Sequence, residues 1–359
     1  MGISSSISNS KKLPWPFIVS MILFTLLQVG LDHCPAFWRY VERNCRFHFD
    51  DPLRLECVLR RIPPNAPFKK VLLFGTSQSR EGIDVDTLNA HFESKNIHFY
   101  DLGAIGTFFS VDLHMLKERI LAVKPDVISY SPFIESFYTP YKLQPVNNLE
   151  FYFNPNIIPY LTKHLRWEDY DKDFRGDLLD SGISAFSLFY RFRNHFGDIF
   201  YLSLKYASGI EKRPPPQISF FTEPYPESHF IEQVEKFQKD ERYRYTKYTD
   251  LYQELFTLFA KDMVSYNIKF IVHNCPLHPL FPKICSPGIM ADYHGFLKRQ
   301  AREIGFTYTP NEELPNFTAD EFNDFTHLTL PGRERFTQFL IGYFERELKG
   351  LSVQRDNEE

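Results

Sequence analysis

From residue 70 onward, short unbroken apolar runs alternate with stretches whose apolar side chains recur at helical spacing. Val71-Leu72-Leu73-Phe74 is such a run. With Lys70 ahead of it and Gly75 ending it, it reads as a strand buried on both faces. Asp84 is placed to cap a helix running to about residue 94, and His98-Phe99-Tyr100 is a second strand ending at Asp101-Leu102-Gly103. Leu113, Leu116, Ile120 and Val123 predict a helix over 111–123, and 126–130 is a third strand. Strand, helix, strand, helix, strand is the order of a parallel sheet with helices on its faces.

Residues 133–240 break that rhythm. They are rich in Tyr, Phe, Asn and Pro, with Pro214-Pro215-Pro216 near the end, and read as an insertion or cap, helical over 183–206, without a fold of its own. The alternation then returns, with a helix over 248–266, a strand over 269–273, a helix over 293–304 and a short strand over 306–308. An amphipathic helix over 331–348, with Pro331 near its first position, closes the domain, and 350–359 is a polar tail. The expected architecture over 70–349 is a three-layer α/β/α sandwich around a parallel sheet.

At the other end, Lys11 and Lys12 precede an uncharged run over 13–31 that closes at Asp32. At 1.5 Å per residue the run spans about 28 Å, close to the ~30 Å hydrocarbon core of a bilayer. Trp15 suits an interfacial anchor. The reading is an uncleaved transmembrane anchor, with a cleaved signal peptide and a buried soluble helix as the competing readings; no small-x-small site stands between Gln28 and Cys34. The lysines ahead of the run imply a single-pass membrane protein with an extracytoplasmic body, although Arg39, Arg43 and Arg46 on the far side pull the other way. Met1-Gly2 with Ser6 fits an N-myristoylation pattern that a spanning helix makes redundant. Residues 32–69, charged and ending in Pro63-Pro64-Asn65-Ala66-Pro67, read as a stalk or linker.

Composition adds exclusions. Of 359 residues 43% are hydrophobic and 24% charged, and Lys+Arg 41 against Asp+Glu 45 leaves a net charge of −4. Disorder, a polytopic membrane protein and an electrostatic footprint for nucleic acid are therefore excluded. Aromatic residues reach 17%, enough for a large core, a lipid-facing surface or a sugar cleft. Cys34, Cys45, Cys57, Cys275 and Cys285 have no metal-ligand spacing. In an exported body Cys45–Cys57 and Cys275–Cys285 are the pairings near in sequence, with free buried thiols as the other reading. No metal and no cofactor is expected.

Three places can carry chemistry. Gly75-Thr76-Ser77-Gln78-Ser79 follows the first strand, at the edge where open parallel sheets bind ligands. Ser77 there presents a hydroxyl with a helix N-terminus behind it. Serine needs an adjacent base, and the base needs a carboxylate to fix its tautomer. Asp324 and His327, in Asp324-Phe325-Thr326-His327 before the last helix, can face one point from a single loop. Gly103-Ala104-Ile105-Gly106, after the second strand, lets a backbone N–H approach a substrate oxygen unobstructed. Alone each is ordinary turn chemistry; together they fall at one edge of the predicted sheet. His273 and His278 are further candidates to line the cleft, and Arg80 reads either as a contact for an anionic substrate group or as part of a solvated helix face.

The combined pattern, a strand–G-x-S–helix at Ser77, a G-x-x-G ending at Gly106 and a D-x-x-H–helix at Asp324 and His327, resembles the SGNH (GDSL-type) hydrolase superfamily over about residues 70–132 and 266–345. The resemblance implies a flavodoxin-like sheet and a serine-dependent esterase or O-acyltransferase acting on an acyl or acetyl ester. Ser77 would be the nucleophile, His327 the base, Asp324 its orienting carboxylate, and the Ser77 and Gly106 N–H groups the oxyanion hole. A single-anchor body of this kind also resembles envelope-modifying acyl-esterases and acyltransferases, which implies an ester of an envelope glycan or lipid as substrate and the membrane as partner. The family's third block carries an oxyanion Asn. Here that place reads Tyr130-Ser131-Pro132-Phe133-Ile134-Glu135, which leaves the Ser131 hydroxyl as a substitute, and Thr76 stands in place of the first-block Asp. The missing Asn keeps open the alternative of a catalytically inactive envelope binding or assembly protein.

Overall fold

The structure is a computed structural model describing residues 15–44, 51–104, 110–138, 157–169, 193–210, 223–240, 243–246 and 248–349. Strands β1 (Lys69–Gly75), β2 (Ile97–Gly103), β3 (Val127–Ser131), β4 (Lys269–His273) and β5 (Thr307–Thr309) form one five-stranded sheet in the order β2-β1-β3-β4-β5. Every pairing is parallel, from Lys69 against Ile97 at one side to His273 against Thr309 at the other. All carboxyl ends therefore lie along one edge.

The described helices are α1 (Trp15–Asp32), α2 (Pro35–Asn44), α3 (Asp51–Arg61), α4 (Ser77–Gly82), α5 (Val85–Phe92), α6 (Ser110–Ala122), α7 (Ile158–His164), α8 (Arg193–Ala207), α9 (Glu227–Asp240), α10 (Tyr248–Ser265), α11 (Ile289–Ile304) and α12 (Leu330–Glu347). Strand side chains alternate between faces, so each face of the sheet builds its own core. Leu72, Phe74, Ile128, Tyr130 and Phe270 pack with Leu116, Phe256 and Phe296 from α6, α10 and α11. Val71, Leu73, Phe99, Val127 and Ile271 pack with Leu88, Phe336, Leu340 and Phe344 from α5 and α12. This is a three-layer sandwich. Much of the aromatic content is core: the Phe256 ring lies 5.6 to 6.2 Å from the rings of Tyr130, Phe137, Phe270, Phe296 and Phe306.

Several expectations change. Residues 32–69 are not a bare stalk, because α3 buries Leu55, Val58 and Leu59, with Ile62 just beyond it, in the same core as β1. Their spacing of three and four is amphipathic, and the charged residues between them are what made the segment look like a linker. The other face of α3 gives Leu53 and Cys57 to a small cluster with Trp38 of α2 and Ile199 of α8. Among the described residues no helix is long and apolar enough to cross a membrane. The described part of the run expected to span, Trp15–Asp32, is helical. The Cys275–Cys285 pairing does not form: Cys34, Cys57, Cys275 and Cys285 are free thiols. Burial pushes both Cys275 and Cys285 up to about 12. Cys45, residues 183–192 of the expected insertion helix and the tail over 350–359 lie outside the described residues.

Candidate active site

At the carboxyl edge β1 ends in Gly75 and the chain turns directly into α4, whose first residue is Ser77. Thr76 caps the helix, its Oγ1 accepting from the Gln78 N–H at 3.3 Å. Glycine ends β1 and β2 for a steric reason. A Cβ on Gly75 would stand 2.9 Å from the Ser131 carbonyl oxygen, and one on Gly103 would stand 2.9 Å from the Arg80 backbone nitrogen. The fixed obstacle is the backbone of β3 at Gly75 and of α4 at Gly103, so these elements approach the strand ends only where no Cβ intervenes. Ser77 is half-buried, and as the first helical residue its N–H has no intrahelical acceptor.

The partners of Ser77 arrive from 250 positions further along the chain. Phe322 and Leu328 pair across an antiparallel bridge, and the Asn323 N–H donates to the His327 carbonyl at 2.9 Å, closing the loop between them. Within it Asp324 Oδ1 accepts from the backbone N–H groups of Thr326 at 2.7 Å and His327 at 2.8 Å, and from the Thr326 hydroxyl at 3.0 Å. The His278 N–H, donating to the Phe325 carbonyl at 3.0 Å, ties the loop to the segment after β4. Asp324 Oδ2 lies 2.7 Å from His327 Nδ1, and His327 Nε2 lies 2.8 Å from Ser77 Oγ. A carboxylate can only accept, so Nδ1 carries the ring proton and Nε2 accepts the Ser77 hydroxyl.

Burial alone would lower the pKa of His327. The hydrogen bond and charge of Asp324, with a smaller contribution from Glu81, outweigh it and raise the imidazole above its ordinary 6.5. Burial would likewise raise Asp324, but its hydrogen bonds from His327 and Thr326 and the His327 charge hold the carboxyl below its usual range. Glu81 Oε2 stands 3.8 Å from His327 Nε2. It sits four residues after Ser77 on α4, one helical turn on, so the two share a face. Sequence reasoning passed over Glu81, because nothing near it in the chain shows that an imidazole will arrive there.

The other candidates separate from this point. Gly106 lies outside the described residues. The preceding Ala104 N–H is already donated to the Gly75 carbonyl at 2.9 Å. Ser131 is not a substitute donor: its hydroxyl is buried and bonded to His273 Nε2 at 3.1 Å. His278 is buried with its ring stacked on Phe230 at 4.1 Å, and burial brings it down to about 4, so it is a neutral packing group. Arg80 lines a different cavity, of about 510 Å³, with Arg54, Arg61 and Arg333. Among the described residues no group of three His, Cys, Asp or Glu side chains is placed to hold a metal ion.

Beside the imidazole is a groove of about 320 Å³. One wall is the loop from Asp324 to His327; the other is the end of the insertion, with Tyr225 and, from α9, His229, Phe230 and Gln233. That wall is pinned to the loop, since the Tyr225 N–H donates to the Asn323 carbonyl at 3.2 Å and Asn323 Nδ2 donates to the Glu223 carbonyl at 2.6 Å. The sequence marks 133–240 as a cap but does not say which of its aromatic residues meet the loop.

No family model and no curated protein matches the chain. Among solved structures it is similar to a lipase/acylhydrolase from Enterococcus faecalis, at 12% identity and a TM-score of 0.39 over 79% of this chain and 97% of that one. It is also similar to a catalytic mutant of an acetylxylan esterase from Geobacillus stearothermophilus, at 13% identity and a TM-score of 0.38 over 78% of this chain and 94% of that one. A hydrolase from the metagenome of Lake Arreo matches at 11% identity and a TM-score of 0.35, covering 78% of this chain and 96% of that one. At similarities this low, what the chain does has to be read from its own side chains.

Proposed function

We propose that the chain is a serine esterase with Ser77, His327 and Asp324 as its catalytic residues. The observation that carries this is the unbroken line of hydrogen bonds from Asp324 Oδ2 through His327 to Ser77 Oγ, at 2.7 and 2.8 Å. Ser77 Oγ attacks the ester carbonyl carbon while His327 Nε2 takes its proton. The tetrahedral intermediate then collapses, the bond to the alcohol oxygen breaks, and His327 returns the proton to that oxygen, leaving the acyl group on Ser77. Water, or the hydroxyl of an acceptor in the acyltransferase version, attacks the acyl-enzyme with His327 again as base and restores the serine. Asp324 stays ionised throughout and stabilises the imidazolium. The oxyanion meets the Ser77 N–H, with a second donor from the turn after β2, where Gly106 is our candidate.

The substrate class is an acyl or acetyl ester, for which we favour an envelope glycan or lipid. Support for a membrane location comes from α1, where Ile22, Leu23, Leu26, Leu27 and Val29 are all more than half exposed; an apolar surface of that kind marks a lipid or partner contact. We assign the body to the extracytoplasmic side. A fluorophosphonate probe should label the wild type and fail on Ser77→Ala. Absence of labelling in folded wild type would instead favour the inactive binding protein.

A further inference from the structure

We propose that the groove beside His327 takes an alcohol portion bearing a positive charge, so that the preferred substrates are esters of cationic, ammonium-bearing alcohols. This rests on the esterase reading above and names the substrate class of that same site. His327 Nε2 must hand its proton to the leaving alkoxide, so the alcohol oxygen comes within hydrogen-bond reach of that nitrogen. The groove of about 320 Å³ includes the same side chain in its lining, and the proposal seats the alcohol portion there and the acyl group elsewhere.

Its walls are selective. Among the described residues, Asp324 is the one carboxylate in the lining and no lysine or arginine is present. The Asp324 side chain is 35% exposed, so its charge is felt in the groove. Facing it is Tyr225, 47% exposed, its ring 4.4 Å centre to centre from that of His229, while Phe230 is buried and stacked on His278. Aromatic faces attract a cation through their quadrupole. Glu81, 3.8 Å from Nε2, places a second carboxylate at the end where the alcohol oxygen arrives. An anionic alcohol portion meets repulsion at both ends, and a neutral one draws on none of these charges.

Acetylcholine and 3,3-dimethylbutyl acetate share an acyl group and a shape and differ by one charge. With the full chain at pH 8, where an ordinary histidine is neutral, and at low salt, kcat/KM for acetylcholine should exceed that for the neutral ester about tenfold, or 1.4 kcal/mol. The ratio should shrink as salt is added. Gln233→Lys, which sets an ammonium in the groove, should bring the ratio below one. Choline should also slow fluorophosphonate labelling of Ser77 more than 3,3-dimethylbutanol does, a reading independent of turnover. A wild-type ratio at or below one, or equal protection by the two alcohols, overturns the proposal and leaves the esterase reading standing. Folded wild type that takes no label removes the esterase reading, and this proposal with it.

Discussion

Two serine–histidine pairs sit at the carboxyl edge of the same sheet, and only one of them opens on a groove and carries an orienting carboxylate. Ser77 Oγ and His327 Nε2 are 2.8 Å apart; Ser131 Oγ and His273 Nε2 are 3.1 Å apart. The first pair is half-buried beside a groove, and its imidazole carries Asp324 on the far nitrogen. The second is sealed, with Ser131 at 3% and His273 at 1% exposure, and the His273 ring packs among Phe336, Tyr343 and Phe344. The consequence is opposite charge behaviour. Asp324 helps lift His327 above 6.5, whereas burial brings His273 down to about 4. Distance alone therefore does not make a nucleophile and base; access and an orienting carboxylate do.

Substitution at the two serines should separate the pairs most strongly. Ser77→Ala should cut kcat/KM on a simple aryl acetate by about 10⁴-fold or more. Ser131→Ala should keep both turnover per folded molecule and fluorophosphonate labelling. Measured activity lost equally in the two variants would erase the distinction. Taking from the first pair the feature the second lacks is the next test: Asp324→Asn should lower kcat by about 10⁴-fold, since an amide no longer fixes the tautomer.

The buried pair should show itself in stability instead. Ser131→Ala deprives a buried imidazole of its hydroxyl partner, leaving the Asn274 carbonyl at its other nitrogen, and should cost about 1–3 kcal/mol in urea unfolding. His273 also gives a pH signature. Its folded pKa of about 4 lies below the ordinary 6.5, so the unfolded chain binds the extra proton between those values. Stability is then full above 6.5 and lost as pH falls toward 4. His114 and His278, also brought down to about 4, add to the same slope. The Tm should therefore drop from pH 7 to pH 5, and less steeply in His273→Leu.

His327 carries the opposite sign. Its raised pKa means that it must lose a proton to act as base, so kcat/KM should rise with pH along a limb centred above 6.5. Any stability from its pairing with Asp324 is present below 6.5 and lost as pH rises through the folded value. Glu81→Gln removes one carboxylate from beside Nε2, and the limb should move to lower pH. An unmoved limb with unchanged kcat would show that Glu81 does not act on the imidazole.

How much of this was legible depends on how far apart the interacting groups are. β1 and β3 were readable because continuous apolar runs identify strands covered on both faces, and the observed β3 differs from the reading by one residue at each end. That Asp324 and His327 can face one point was readable because they stand three apart on one loop, and the structure joins them at 2.7 Å. Harder was α3, where apolar positions at amphipathic spacing were hidden among arginines and ahead of prolines. Between a Cys275–Cys285 pairing and free thiols the sequence left both readings open, because proximity in sequence says nothing about side-chain direction; the structure has free thiols.

Turn chemistry and hydrophobic period act between near neighbours, so the strands, the parallel sheet they imply and the presence of a serine and an Asp–His loop at one edge are already written in the chain. Which serine meets which histidine is a different kind of fact. Ser77 follows β1 and Ser131 ends β3, and it takes the packing of α12 and the loop before it to bring His327, from 250 positions away, to the first while aromatic rings close over the histidine partner of the second. The charge of Glu81 beside that imidazole and the aromatic wall that the insertion sets against it arise the same way. They are products of folding, because contacts between distant segments exist only once the core has fixed where those segments lie.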